Sequence, residues 1–201
     1  MFQLRDQVIE NQTIELAGKD YQYLGHNLIL IGCRVVIRVS ASALTVAKTK
    51  FLDCDIEVKR KLNNFRWFSA YLEDCRFTGM LRGCDFGHWP EMHAVAEDGG
   101  IKNCDFRGAT LDGCRFIGCD PASLQFPRWP CFTILHPGRR KEELASVRWP
   151  GQLAPVMSVD WTPPITTALT YSAAAIVKKY GAGTSEAELR TVIETMADVI
   201  Y

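Results

Sequence analysis

The first 120 residues repeat a short unit in which an apolar residue, two variable residues, a cysteine, one more variable residue and a second apolar residue follow one another. Successive cysteines are separated by 21, 21, 9, 20 and 10 residues, and the six copies centre on Cys33, Cys54, Cys75, Cys84, Cys104 and Cys114. A period near 20 is typical of a solenoid, in which each repeat buries its apolar face only against its neighbours. The pattern therefore predicts a β-helix for residues 1–120.

From Gly99 onward the repeat has a regular period of five, with a small residue first and a large apolar residue third. If four such blocks form one coil, residues 20 apart lie above one another at the strand spacing of about 4.8 Å. Cys84 and Cys104 should then share a wall, and residues 87–93 should keep the coil at 20 residues. In the same register Cys114 lies above Ala94. One wall should carry an inward ladder of Ile14, Val35, Ile56, Phe77, Ala96 and Phe116.

Residues 71–120 resemble the pentapeptide-repeat family, and the resemblance is strongest over residues 99–120. Members of that family form right-handed, four-sided β-helices. The resemblance implies a mainly β fold, a right-handed parallel β-helix, to which a C-terminal Pro/Trp-rich segment and two α-helices are attached. Several members act on DNA gyrase by imitating duplex DNA, so action on gyrase or topoisomerase is one functional alternative.

Proline separates the solenoid from the rest of the chain, because eight of the nine prolines lie between Pro121 and Pro164. Proline cannot donate to a strand ladder, so regular coils should stop near residue 120. Residues 121–164 are predicted to be irregular. Residues 165–201 are predicted to form a two-helix cap that packs on the solenoid or forms a homodimer contact.

Helical spacing of apolar residues supports that cap. The first helix should span residues 165–180, with an apolar stripe that includes Ile165, Leu169 and Ile176 and an end at Gly181. Ser185 and Glu188 form a capping box for the second helix, whose stripe is predicted to continue as far as Ile200.

Composition favours a cytoplasmic protein with no membrane association. Six of the eight cysteines occupy one repeat position, where a reduced, buried thiol fits the inside of a coil. No run approaches the roughly 18 apolar residues of a membrane span. Residues 1–120 carry 15 basic and 16 acidic residues, and residues 121–201 carry 8 and 7. This even balance argues against nucleic acid as a partner and against DNA mimicry, which needs acidic columns.

The candidate chemistry is sparse. Cys114, Cys119, Cys131 and His136 could supply four zinc ligands, but structural zinc sites usually use closer pairs, so no metal and no cofactor is expected. None of the usual hydrolase, zinc-protease or phosphate-loop motifs is present. Stacking could bring Asp53 and Asp74 together on one corner, as a β-helix polysaccharide lyase or hydrolase would need. Solvated acids that bind turn amides are the simpler interpretation.

The segment that departs from the repeat is the best candidate for a binding face, since local departures in repeat scaffolds tend to lie on such faces. The predicted partner-binding residues are His88, Trp89, Glu91, His93, Trp129, Arg139 and Arg140. In the alternative interpretation Trp89 packs under the C-terminal segment, while His88 and His93 are ordinary surface residues.

These observations favour a non-catalytic protein-binding module, since rigid walls lose little conformational entropy on docking. A small binder of this kind could be an immunity protein that neutralises a cognate bacterial toxin. A concentration of basic residues on the middle coils would suit an acidic partner: Lys48, Lys50, Lys59, Arg60, Lys61 and Arg66. The identity of the partner, the oligomeric state and any substrate are not encoded in these patterns.

Overall fold

The computed structural model describes residues 1–90, 99–159 and 162–201, so Glu91 and His93 lie outside the described residues. The molecule is mainly β, and its core is a parallel β-solenoid of about four turns. The strands are β1 (Phe2–Leu4), β2 (Val8–Glu10), β3 (Thr13–Leu16), β4 (Gln22–Ile31), β5 (Arg34–Ile37), β6 (Leu44–Leu52), β7 (Asp55–Asn63), β8 (Ala70–Glu73), β9 (Arg76–Arg82), β10 (Asp85–Gly87), β11 (Gly100–Lys102), β12 (Asp105–Asp112), β13 (Cys114–Ile117), β14 (Cys131–Leu135), β15 (Thr166–Ser172) and β16 (Val199–Ile200). The helices are α1 (Lys141–Ser146), α2 (Ala154–Met157), α3 (Ala173–Tyr180) and α4 (Glu186–Ile193).

Two parallel sheets form the solenoid walls. The first sheet has the order β1-β4-β6-β8-β11, with β2 also paired to β4, and the second has the order β12-β9-β7-β5-β3. In the second sheet Ile14 pairs with Val35, Val35 with Ile56, and Ile56 with Phe77, which confirms this part of the predicted ladder. These side chains all point into the solenoid, because alternate residues of a strand face the same side. All of them are buried.

The predicted register is wrong beyond Gly87. Arg34, Asp55 and Arg76 pair at 21-residue intervals, but Arg76 pairs next with Asp105, 29 residues later, and Asp85 pairs with Arg115, 30 residues later. The coil that includes residues 88–99 is therefore longer by eight or nine residues, and we call these residues the insert. The five-residue period hid the insert, because the repeat resumes in the same pattern after it. Ala94 and Ala96 lie outside the described residues.

The cysteines consequently form different columns from those predicted. Cys75 lies below Cys104 rather than Cys114, and Cys84 lies below Cys114 rather than Cys104. All eight thiols are free, and all except the partly exposed Cys119 are buried, as the composition predicts. Thiols donate to carbonyl groups of the preceding coil, for example Cys54 to Leu30 at 3.4 Å and Cys75 to Phe51 at 3.3 Å.

Aromatic rings fill the solenoid between these columns. Phe106 stacks on Phe77 with ring centroids 4.7 Å apart, and Phe116 stacks on Phe86 at 5.0 Å. The Trp67 ring lies parallel to Phe86 at 6.0 Å and is 1% exposed. Because similar rings recur at one place in successive coils, the core is built from stacks rather than from a mixed packing of different side chains.

A third sheet joins the solenoid to the C-terminal part, with the order β10-β13-β15-β14-β16. The predicted helix over residues 165–180 is wrong before Ala173, because residues Thr166–Ser172 form β15. β15 pairs antiparallel with β13 on one side and with β14 on the other. Ala168 faces the solenoid core, whereas Leu169 and Tyr171 belong to a second core. Pairing with a strand on each side and burial of both faces stabilise a strand here more than the helical spacing of apolar residues stabilises a helix.

We call the region formed by β14, β15, β16 and the helices α1 to α4 the C-terminal cap. The capping box of Ser185 and Glu188 is confirmed at the start of α4. The helix ends at Ile193, however, so the predicted continuation to Ile200 is wrong, and Ile200 lies in β16 beside β14. The last parallel bridge of the solenoid joins Asp105 to Gln125, close to the predicted stop near residue 120. Within the described ranges, no helix has the length and apolar character that crossing a membrane requires.

Candidate functional site

A concave surface lies on the side of the solenoid where the early coils have turns instead of strands. The 3-10 turns Ala41–Ala43 and Trp67–Ser69 connect strands of the second sheet to the next strands of the first sheet. In the following coils the corresponding stretch contains β10 and β13 of the third sheet. The turns leave an open depression of about 600 Å³, which we call the side groove. It is lined by Tyr23, His26, Ala41, Leu44, Thr45, Val46, Ala47, Lys48, Asn64, Phe65, Arg66, Phe68 and Ser69.

A bulge in β4 shapes one margin of the groove. The pairing of β4 with β6 shifts between Gly25 and Leu28, so that two residues, His26 and Asn27, oppose the single residue Lys48. All three have positive φ angles, of 44°, 59° and 51°. The Asn27 side chain donates to the carboxylate of Asp6 at 3.1 Å, which ties the bulge to the preceding coil. The bulge thereby fixes His26 and Lys48 side by side at the groove margin.

Gly25 allows a tyrosine to fold over the strand at this point. A Cβ atom on Gly25 would lie 2.9 Å from the Tyr23 ring and 2.7 Å from the carbonyl oxygen of Ala47. The Tyr23 ring instead stacks on His26 at 5.9 Å, and its hydroxyl hydrogen-bonds to Nδ1 of His26. The pair presents a fixed polar edge, because each ring limits the rotation of the other.

The charged residues in the described lining of the groove have one sign. Lys48 and Arg66 both line it and are exposed, and the lining residues that the structure describes include no aspartate or glutamate. By contrast, Lys59 from the same predicted basic group lies on the outer face of the second sheet, where it pairs with Glu57 at 2.7 Å. The basic residues of the middle coils therefore alternate with acids on that face, whereas two of them lie together among the described groove residues.

Trp89, a predicted partner-binding residue, anchors the insert next to this groove. Its indole ring contacts Phe68, a groove residue, edge to face at 5.7 Å, and the guanidinium of Arg115 lies 5.5 Å from its centroid. Arg115 in turn makes two hydrogen bonds, of 2.7 and 2.8 Å, to the largely buried carboxylate of Asp85. Trp89 therefore packs on the solenoid.

Four other predicted binding residues that the structure describes do not line the side groove. His88 is half-buried, and its backbone N–H donates to Ile117 at 2.8 Å. Trp129 packs under Arg190 at 5.3 Å in the C-terminal cap. Arg140 is 11% exposed and uses its donors on Glu143 and on the backbone carbonyls of Leu135, Ala197 and Asp198. Arg139 is exposed and lines a separate pocket.

The residues weighed for metal or acid chemistry are dispersed. Cys114 donates to Leu81 and Cys131 to Leu111, while Cys119 contacts Thr167. Across residues 1–90, 99–159 and 162–201, no three histidine, cysteine, aspartate or glutamate residues are arranged to hold a metal ion. Asp53 and Asp74 do share a corner column, with positive φ angles of 53° and 56°, and both are exposed.

Sequence reasoning identified Lys48 and Arg66 as part of a basic group but missed Tyr23 and His26. The signal was available in Gly25-His26-Asn27, because a glycine within a strand pattern marks a bulge or a close backbone approach. Comparison with family models, with curated proteins and with solved structures finds no match to this chain. The fold assignment accordingly rests on the strand pairing itself.

Proposed function

We propose that this chain is a non-catalytic binding module that holds an acidic stretch of a protein partner in the side groove. The observation that carries the proposal is the described part of the groove lining, which includes Lys48, Arg66 and His26 and no carboxylate. Opposite charge on the partner would steer association and would set the register of docking. Neutralising a cognate toxin is one use to which such a module could be put.

The apolar part of the groove suits a polypeptide better than a small polyanion. Phe65, Phe68, Leu44 and Val46 line it beneath the charged margin. A side chain of the partner can bury apolar surface there while its acidic neighbours meet Lys48 and Arg66. The turn Trp67–Ser69 is held by the bond from the Ser69 hydroxyl to the carbonyl of Val46, at 2.5 Å, so the groove needs little ordering on docking.

The sign of the charge distinguishes this proposal from imitation of duplex DNA. A DNA mimic presents columns of acidic side chains, whereas the outer face of the second sheet alternates acids with bases. Arg34 pairs with Glu57 at 2.6 Å, and Arg76 pairs with Asp55 at 3.3 Å. Those charges are neutralised within the wall, whereas the charged side chains among the described groove residues are basic.

The test is affinity capture from the source organism with the intact protein, with the double variant Lys48→Glu/Arg66→Glu, and with Lys178→Glu as a matched charge reversal on α3. A photoreactive residue at Thr45, inside the groove, identifies the contacting segment by mass spectrometry. We expect one protein to be retained by the intact chain and by Lys178→Glu, to be lost with the double variant, and to be crosslinked through an acidic segment. Equal capture by all three chains, or crosslinking to a basic segment, would refute the proposal.

A further inference from the structure

A second pocket lies where three strands of the third sheet come together. β13 and β14 both run antiparallel to β15, so the ends of β13 and β14 meet the start of β15 at one edge of the sheet. The pocket at this edge has a volume of about 380 Å³, within the range of ordinary ligand sites. It is built from residues 118–121, His136, Arg139 and residues 164–167, and it is separate from the side groove.

Arg139 supplies an uncommitted cation to this pocket. Its side chain is exposed and makes neither an ion pair nor a hydrogen bond with any residue in the described parts of the chain. The neighbouring Arg140 is in the opposite situation, since Glu143 and three backbone carbonyls occupy its guanidinium. A planar guanidinium of this kind binds a carboxylate through two parallel hydrogen bonds.

Thr166 adds a buried hydroxyl that lacks a partner. The residue is 2% exposed, and its Oγ1 forms no hydrogen bond. The other threonines of β15 are satisfied: Thr167 donates to the carbonyl of Phe116 at 3.1 Å, and Thr170 bonds to Thr133 at 2.8 Å. A buried hydroxyl without a partner is unfavourable, so a ligand that supplies the missing bond gains from it.

The remaining polar residues define the character of the ligand. Asp120 lines the pocket, and one of its oxygens accepts the N–H of Ala122 at 3.0 Å. Its negative charge disfavours a phosphate or a dicarboxylate but complements an ammonium group. His136 is held in the left-handed region, with φ of 49°, by the bond from its N–H to the carbonyl of Thr167 at 2.7 Å. Pro121, Pro164 and Ile165 supply apolar wall.

We propose that this pocket binds a small zwitterion of the α-amino acid type. Arg139 and the Thr166 hydroxyl receive the carboxylate, Asp120 receives the ammonium group, and the proline and isoleucine wall receives the side chain. This site does not depend on the function proposed for the side groove, and its test uses different residues.

The test titrates the intact protein with each free L-amino acid by calorimetry, with acetate, methylammonium and inorganic phosphate as single-group probes. The variants are Arg139→Gln, Thr166→Val and Asp120→Asn, and Arg148→Gln is the matched control on an arginine outside the pocket. We expect at least one amino acid to bind and Arg139→Gln to weaken that binding by about tenfold or more, as the loss of hydrogen bonds to a charged group does. Arg148→Gln should leave the binding unchanged.

Alkylation of Cys119 provides a second readout that does not depend on calorimetry. Cys119 is the thiol that is not fully buried, and it lines the pocket, so a bound amino acid should slow its reaction with iodoacetamide. Thr166→Val replaces an unpaired hydroxyl by a methyl group and should fold at least as well as the intact chain, which separates loss of binding from loss of structure. No binding by any amino acid at about 10 mM, equal binding by Arg139→Gln, or equally tight binding of acetate would overturn the proposal.

Discussion

The solenoid and the C-terminal cap reach the same degree of burial by different means. In the solenoid a residue packs on its equivalent in the next coil, as Phe106 does on Phe77. In the cap the buried cluster joins residues without any repeat, such as Phe132, Trp149 and Ile193. A solenoid position can therefore be understood from its neighbours one coil away, whereas a cap position depends on contacts between distant parts of the chain.

β15 shows what that difference means for a sequence. Its apolar spacing resembles a helix, and nothing within residues 166–172 reports that the edges of β13 and β14 are available. The strand belongs to both regions, because Ala168 faces the solenoid core and Leu169 faces the cap core. In the solenoid, where repeats surround a segment, the local sequence pattern thus determines its secondary structure. In the C-terminal cap, pairing with strands that are distant in sequence determines it.

The largest expected effect comes from removing a ring in each core. Phe106→Ala should lower the free energy of unfolding by about 3–5 kcal/mol, because it leaves a cavity in a closely packed stack. Phe132→Ala, also at a fully buried position, should cost less. Phe106 has ring contacts with Phe77, Phe86 and Phe116, but Phe132 has one with Tyr171. Urea unfolding of both variants measures the difference, and an equal or larger cost for Phe132→Ala would contradict the role given to the stacks.

A smaller effect is expected at the sheet that joins the two regions. Thr133 and Thr170 share a hydrogen bond of 2.8 Å, and both are fully buried. Thr170→Val should cost about 1–3 kcal/mol because the Thr133 hydroxyl is left without its partner. The double variant Thr133→Val/Thr170→Val should recover most of that loss. If the double variant is as unstable as the sum of the two single variants, then the hydrogen bond does not explain the cost.

Alkali should destabilise the solenoid through its cysteine column. The hydrogen bond with Cys104 and burial raise the pKa of Cys75 to about 12, against a smaller lowering by the hydrogen bond with Cys54. The thiol of the unfolded chain ionises near pH 9, so stability is fully present below that pH and is lost as the pH rises from about 9 to about 12. One such thiol accounts for about 1 kcal/mol at pH 10. Cys75→Ala should lose less stability than the intact chain between pH 8 and pH 10, and an unchanged pH profile would count against this origin.

Acid should have the smallest effect, on the outer face of the second sheet. Hydrogen bonds from Arg34 and Lys59 lower the pKa of Glu57 to about 2. Its contribution is present above the unfolded pKa of about 4.5 and is lost as the pH falls towards 2. Because this carboxylate is near the surface, solvent screens the interaction and the change should be slight. Glu57→Gln should flatten the acid limb of the unfolding curve. Glu142→Gln on α1, which removes an exposed carboxylate of the cap, is the control.

The repeat predicted the fold of the early coils because every inward position is occupied by a residue of similar kind. Val35, Ile56 and Phe77 are paired as the spacing requires. The same regularity caused the error at the insert, since a five-residue period looks identical before and after a break. The loss of the regular inward pattern between His88 and Gly99 is the remaining signal, and it predicts a bulged coil of unchanged length rather than the longer coil that is observed.

The candidate sites were less predictable than the fold. Lys48 and Arg66 are 18 positions apart and line one groove because β6 and the turn Trp67–Ser69 belong to adjacent coils. Arg139 was selected from the sequence, but its neighbours Asp120 and Thr166 come from near the ends of two other strands. The Thr166 hydroxyl is buried without a partner because of how the strands pack, and no spacing of residues in the sequence predicts this.

The longer coil shows that chain length can change at one corner while the walls on either side keep their pairing. Arg76 still meets Asp105 and Asp85 still meets Arg115 across the added residues. Trp89 packs against Phe68 and Arg115, so the first residues of the insert are held on the solenoid. We therefore expect the strand pairing of the neighbouring coils to tolerate a change in the number of residues at this corner.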